Sequence, residues 1–275
     1  MRSVTIALVL AFAVLTAGPA RAADKIRWTS SDFPPAFIVH GEHAGTGIFD
    51  IETRYLTGRL GEFAHVMLNV ANSRAWAMLP DQDGICIAGA LETPERRRIA
   101  AFSRVTLAVL PPGLLIRKSE AGRFARFRNE AGEIDLALLA ADGSLRAAHT
   151  AARPMGTAIE RFIERQKLTS LPASHQALEM LANGRLDYSF GYANEASYYR
   201  ATHPDAPELT PLRVAGQPPI IYTHIACSNR PIGRRVIARI DEILGPHGES
   251  PYFQETGRWY DADDFRDLSA MAKWP

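Results

Sequence analysis

One stretch of the chain, residues 83–103, constrains its fold more than any other. Residues 85–88 form a short apolar run rich in β-branched side chains behind a turn signal, which predicts a buried strand. Thr93, Pro94 and Glu95 then follow the order of an N-cap, a first helical residue and an acidic first turn. A strand therefore delivers its carboxyl end to the amino end of a helix. In open α/β sheets, ligands bind at such places.

The predicted helix carries Arg96, whose permanently charged planar fork suits a carboxylate or a similar anion. Residues 89–103 resemble the strand–turn–helix of the family 3 periplasmic solute-binding proteins, where a Gly, a Thr-x-x-Arg and a later Phe-Ser recur at this spacing. In that family the arginine grips the α-carboxylate of an amino acid, and Arg96 is the matching position. The stretch is similar in particular to a proteobacterial branch of the superfamily, which also carries a Cys before the Gly.

The resemblance implies an α/β chain with the two-lobed type II periplasmic-binding-protein fold. Each lobe would be a mixed five-stranded sheet flanked by helices, and two crossovers would join the lobes. We expect residues 23–113 plus 219–275 to form lobe I and residues 114–218 to form lobe II. The Pro-Pro-Gly break at 111–113 and the Pro-rich segment 204–218 are the expected crossovers.

The same resemblance supplies candidate ligand-binding residues. Phe33 matches a ring that stacks on the ligand, with packing under the following prolines as the alternative. Gly156 and Thr157 match a helix start on the opposite lip, and Arg153 lies beside them, so that up to three arginines would converge on one cleft. Arg74 is either the further cation or an ordinary exposed helix residue. The full expected set is Arg96, Phe33, Gly89, Ala90, Leu91, Arg74, Gly156, Thr157 and Tyr192.

The chain departs from the family pattern where an amino acid's ammonium would bind. Asp187 matches the first of two family aspartates, but Tyr192 replaces the second, and Leu91 replaces the usual hydroxyl residue. A desolvated ammonium with a weaker partner costs several kcal/mol. Glu92 and Glu195 are near enough in sequence to substitute. We therefore expect a ligand with a carboxylate or another anion.

The function implied is that of a periplasmic protein that captures a small carboxylate-bearing or amino-acid-like solute by hinge closure. It would act as a monomer, without a cofactor, and serve an ABC permease or a membrane-bound sensor. The alternative is an enzyme on the same scaffold, a cyclohexadienyl dehydratase-like lyase with Glu92, Glu160 or Glu195 as its acid. Fold does not decide between these functions.

The first 22 residues predict export. Arg2 supplies a positive start, residues 6–15 an apolar core, and Ala20-Arg21-Ala22 a small-x-small cleavage site. We expect cleavage after Ala22 and a periplasmic mature protein.

Composition argues against several other functions. The formal net charge is +1 and there is no dense basic block, which argues against nucleic-acid binding. No metal-binding or cofactor-binding motif is present.

Cys86 and Cys227 both lie in apolar β-like runs, and in an oxidising compartment such a pair favours a disulfide over two buried free thiols. In the resembled family the last section rejoins lobe I, which supports the bond.

Overall fold

The computed structural model describes residues 23–151, 153–246 and 248–274. The signal peptide predicted over residues 1–22 lies outside the described residues. Within the described part of the chain, ten strands form two five-stranded sheets. None of the helices in these ranges is long and apolar enough to cross a membrane.

The elements follow one another in βα order with two breaks. The strands are β1 Lys25–Ser30, β2 Ala64–Asn69, β3 Ile85–Ala90, β4 Ala100–Val109, β5 Gly113–Arg117, β6 Ala147–Thr150, β7 Thr169–Leu171, β8 Tyr188–Gly191, β9 Leu209–Leu212 and β10 Ile221–Ser228. The helices are α1 Ile48–Thr57, α2 Asn72–Met78, α3 Pro94–Arg97, α4 Ala121–Phe124, α5 Leu136–Ala140, α6 Thr157–Gln166, α7 Ser174–Ala182, α8 Ala193–Thr202, α9 Pro231–Leu244, α10 Phe253–Thr256 and α11 Ala262–Met271.

The two sheets have related topologies. The first has the order β2-β1-β3-β10-β4 and the second the order β7-β6-β8-β5-β9. In the first, β1 pairs parallel with β2 and β3, whereas β10 is antiparallel to both of its neighbours. In the second, β6 is parallel to its neighbours and β5 antiparallel to its own. The predicted two-lobed fold with mixed five-stranded sheets is confirmed.

Each sheet buries its own apolar core. Trp28 and Ile225 are buried against α1 and α9 in the first, and Phe124 and Phe190 lie in the core of the second. The chain passes between the sheets twice, at residues 110–112 and 213–220. The Pro-rich segment after residue 204 was expected to be a crossover alone, but it contains β9. Pro211 is tolerated there because β9 is an edge strand that needs only one row of hydrogen bonds.

A disulfide joins the first sheet's strands β3 and β10. Cys86 and Cys227 are directly opposite each other in the antiparallel register and are bonded, 141 residues apart in sequence. Both residues are fully buried. The predicted bond is confirmed, and it links two parts of the first sheet that lie on either side of the whole second sheet in the sequence.

The C-terminal segment packs on residues that flank both sheets. The ring of Trp259 lies 5.3 Å from that of His43, which precedes α1, and 5.1 Å from that of Tyr198 on α8. The amide of Asn194 donates to the Tyr260 hydroxyl, and Arg200 forms an ion pair with Asp261. This segment therefore contacts elements of both sheets at once.

The disulfide predicts a stability loss on its removal. We expect the double variant Cys86→Ala/Cys227→Ala to lose about 2–5 kcal/mol in free energy of unfolding, because the bond closes a long loop in the unfolded chain. Urea denaturation measures this loss. Reductant should destabilise the wild type and leave the double variant unchanged; equal stability of the two proteins without reductant would contradict the prediction.

Candidate functional site

A cavity of about 640 Å³ lies between residues that flank the two sheets. The lining on the side of the first sheet includes Asn72, Trp76, Arg96 and Ile99, and on the side of the second sheet it includes His149, Thr150, Arg153, Glu160 and Glu164. The walls thus bring charges of both signs and one indole ring to the same space.

Arg96 is held in this cavity by its local structure. Thr93 caps α3, because its hydroxyl accepts a hydrogen bond of 3.2 Å from the Arg96 amide, and Pro94 is the first helical residue. The Arg96 guanidinium donates to the Leu91 carbonyl at 2.8 Å and its Cζ lies 4.1 Å from the ring centre of Trp76. The predicted cap and helix start are confirmed, although the helix is only one turn long.

The charge of Arg96 is uncompensated within the described part of the chain, where no carboxylate lies in ion-pair distance of it. Partial burial lowers the pKa of the guanidinium from its usual value, but arginine stays protonated at any ordinary pH. Arg97 and Arg98 differ, since each is exposed and pairs with a nearby glutamate, Glu92 or Glu95. Arg96 is therefore the member of the run that can receive an anion.

Gly89 shapes the carboxyl end of β3, just before the loop to α3. Its φ is +67°, and a Cβ placed there would lie 2.3 Å from the Phe49 ring, so that only glycine fits. The predicted candidates Ala90 and Leu91 follow; Ala90 is buried, and the Leu91 carbonyl is occupied by Arg96.

A buried carboxyl, Glu52, lies on α1 behind this loop. It has no solvent exposure, its Oε1 accepts from the Tyr252 hydroxyl at 3.2 Å, and its Oε2 has no hydrogen-bond partner among the described residues. Burial raises the pKa of Glu52 to about 7, and the hydroxyls of Thr106 and Tyr252 offset only part of this rise.

A buried ion pair lies on the side of the second sheet and contacts a residue from the side of the first. Arg153 and Glu195 form two parallel hydrogen bonds, Nη1 to Oε1 at 2.9 Å and Nη2 to Oε2 at 3.1 Å, with side-chain exposures of 8% and 2%. The Arg153 Cζ lies 4.1 Å from the ring centre of Phe33 and 5.1 Å from that of Tyr192. Phe33 comes from the loop after β1, so this cluster joins the two sides of the molecule.

Two further buried polar atoms lack partners. Thr150 is 5% exposed, and its hydroxyl makes no hydrogen bond to the described residues; nor does Nε of Arg153. Both residues line the cavity. Buried polar groups without partners are uncommon in folded proteins, so these two mark a wall suited to a polar ligand.

The structure places the remaining candidates in several surroundings. Gly156 and Thr157 begin α6, and the Gln217 amide donates to the preceding carbonyl of Met155 at 2.6 Å, which ties this helix start to the second chain crossing. The Tyr192 hydroxyl donates to the Pro154 carbonyl. Arg74 is exposed on α2 and does not belong to the described residues that line the cavity.

The glutamates that the sequence analysis considered lie in different surroundings. Glu92 pairs with Arg97 at 2.6 Å, Glu195 pairs with Arg153, and Glu160 lines the cavity while accepting from the Met155 amide. Trp76, His149, Thr150 and Glu164 were missed by the sequence analysis. The i, i+4 spacing of Glu160 and Glu164 on an amphipathic helix was the available signal for the last of these.

Comparison with known structures supports the fold. No family model matches the chain, and no curated protein matches it. A mutant of ArgBP from T. maritima superposes with a TM-score of 0.59 at 17% identity, covering 86% of this chain and 92% of that one. An amino acid ABC transporter substrate-binding protein from Streptococcus pneumoniae, bound to L-arginine, gives 0.60 at 15% identity, covering 91% and 95%.

A third similar structure is the ancestral amino-acid-binding protein AncCDT-1, a precursor of cyclohexadienyl dehydratase. It gives a TM-score of 0.59 at 13% identity and covers 90% of this chain and 94% of that one. This chain therefore shares the two-lobed fold of these structures, and at these identities the likeness shows the fold alone.

Glu52 predicts a specific dependence of stability on pH. The folded protein keeps a proton on Glu52 up to about pH 7, whereas the unfolded chain loses it near the usual value of 4.5. The contribution of this residue to the free energy of unfolding should therefore fall by about 3 kcal/mol as the pH rises through this window. Urea denaturation of the wild type and Glu52→Gln at pH 5 and pH 8 tests this. The variant should gain relative to the wild type at pH 8, and an equal difference at both pH values would contradict it.

Proposed function

We propose that this chain is a periplasmic solute-binding protein that captures a small carboxylate-bearing, amino-acid-like solute and does not transform it. Lobe I would comprise residues 23–113 plus 219–275 and lobe II residues 114–218, with the cavity between them as the solute site. The observation that carries the proposal is the uncompensated guanidinium of Arg96 on the wall of a cavity lined from both sides.

The carboxylate end of the solute is assigned to Arg96. A guanidinium offers two parallel donors to a carboxylate, and Trp76 holds its plane by stacking. Since one donor is engaged by the Leu91 carbonyl, the orientation of the remaining donors is fixed before the solute arrives. Less conformational entropy is then lost on binding.

A cationic end is assigned to the acidic face of α6. Glu160 and Glu164 line the cavity on the side opposite Arg96, and both are exposed to it. They supply the negative charge that Tyr192 does not. Two of the similar structures, an ArgBP and a substrate-binding protein bound to L-arginine, support a solute with both charges.

Closure of the two lobes would couple to binding. The chain crosses between the sheets twice, at residues 110–112 and 213–220, and such paired connections permit hinge motion. A solute that touches Arg96 on one side and α6 on the other interacts fully only when the lobes are closed. Its differential affinity would shift the molecule toward that state.

The partners follow from the same proposal. The predicted signal peptide would export the chain to the periplasm, where it would act as a monomer and deliver solute to an ABC permease or a membrane-bound sensor. The similar structures from an amino acid ABC transporter support the permease.

Removal of Arg96 tests the site. We expect Arg96→Ala to weaken binding by about 2–5 kcal/mol, because the buried carboxylate of the solute would lose its charged partner. Isothermal titration calorimetry against a panel of cationic, neutral and acidic amino acids and dicarboxylates measures the loss. Arg98→Ala is the matched control, because Arg98 is exposed on the same short segment. This variant should bind the solute with the affinity of the wild type.

Unchanged affinity in Arg96→Ala, or an equal loss of affinity in Arg98→Ala, would contradict the assignment of Arg96 to the solute site. A lyase on this scaffold would instead consume a carboxylate substrate. Recovery of the bound solute intact after long incubation therefore distinguishes capture from turnover.

A further inference from the structure

The buried Arg153–Glu195 pair has the composition of a ligand site. A planar cation is recognised in proteins by a carboxylate that matches its fork and by aromatic faces. The guanidinium of Arg153 has all of these: the two-point contact to Glu195, the Phe33 ring 4.1 Å from Cζ, and the Tyr192 ring 5.1 Å away. Phe33, Tyr192 and Glu195 are called the cation box below.

The cation box is held in place by contacts that do not involve Arg153. The Tyr192 amide donates to Glu195 Oε2 at 2.8 Å, closing a capping box at the start of α8. A Cβ at Gly191 would lie 2.7 Å from the same oxygen, so glycine leaves room for the carboxylate. The Phe33 backbone pairs with that of Phe37 in both directions, which fixes the loop after β1.

Arg153 itself belongs to an irregular segment between β6 and α6. It also lines the cavity that holds Arg96, and its Nε has no hydrogen-bond partner among the described residues. The cation box and the cavity therefore share a wall, and the side chain of Arg153 forms the boundary between them.

We infer that the cation box is a guanidinium-binding site that the chain fills with its own Arg153, and that Arg153 determines specificity by excluding solutes with a planar cationic side chain from this position. The exclusion of solutes rests on the proposed function, whereas the existence of the box does not. Removing the Arg153 side chain would open the box to the cavity and leave Glu195 buried without its partner.

The test is rescue by a small guanidinium ion. We expect ethylguanidinium at low millimolar concentration to raise the Tm of Arg153→Ala by several degrees, because a ligand that binds only the folded state stabilises it. Ethylammonium should give a smaller rise, since it cannot match both carboxylate oxygens. Thermal unfolding followed by tryptophan fluorescence measures both shifts.

Three controls define the result. The wild type should show no rise, because Arg153 occupies the box. Arg153→Ala/Glu195→Gln should show none, because the carboxylate is gone. Arg146→Ala should show none either, because Arg146 is an exposed arginine that pairs with Asp187 and contacts no aromatic ring in the described part of the chain. The same rise in all four proteins, or no rise in Arg153→Ala, would overturn the inference.

The test gives a result even if Arg153→Ala does not fold by itself, and it is independent of the proposed function. If Arg153→Ala is unfolded at the assay temperature, ethylguanidinium must restore its native circular dichroism, and failure to do so also overturns the inference. The thermal measurement needs no carboxylate solute. Unchanged solute affinity in Arg96→Ala would therefore contradict the proposed function without contradicting the cation box. Likewise, no rise in Tm with Arg153→Ala would contradict the cation box without contradicting the proposed function.

Discussion

The pairing of β10 with β3 is the constraint on which the rest of the first sheet depends. β10 lies between β3 and β4, and its bond from Cys227 to Cys86 fixes the register of β3. The end of β3 in turn sets the position of Gly89 and of the short helix that carries Arg96. The position of Arg96 therefore depends on β10, a strand that follows the whole second sheet in the sequence.

Two arginines near the cavity have different electrostatic environments, and the difference gives them different roles. Arg153 is neutralised by a buried carboxylate, so its charge is satisfied inside the protein. Among the described residues, the Arg96 guanidinium contacts a carbonyl and an indole ring, which orient the guanidinium but do not cancel its charge. In the proposed function, an anion that entered the cavity would therefore be attracted mainly to Arg96, because the charges of Arg153 and Glu195 compensate each other.

The sequence predicted the fold better than the site. Local patterns predicted the strand at residues 85–88 and the helix start at Thr93, because burial and capping act over a few residues. β9 was missed since Pro211 argues against a strand unless its edge position is known. The pairing of Arg153 with Glu195 could not be predicted, because the two residues are 42 positions apart and meet only where the segment after β6 packs against the start of α8. Trp76 on α2 likewise joins the site only through its contact with Arg96 on α3.

The packing of Trp259 against His43 and Tyr198 would have a consequence for the proposed hinge closure. Together with the Asn194–Tyr260 hydrogen bond, these aromatic contacts join residues that flank both sheets without a solute. If solute capture proceeds by hinge closure as proposed, such contacts would favour the closed form of the empty protein and lower the conformational free energy that binding must supply. The empty and the solute-bound protein would then differ less in the surface that they present to a membrane receptor.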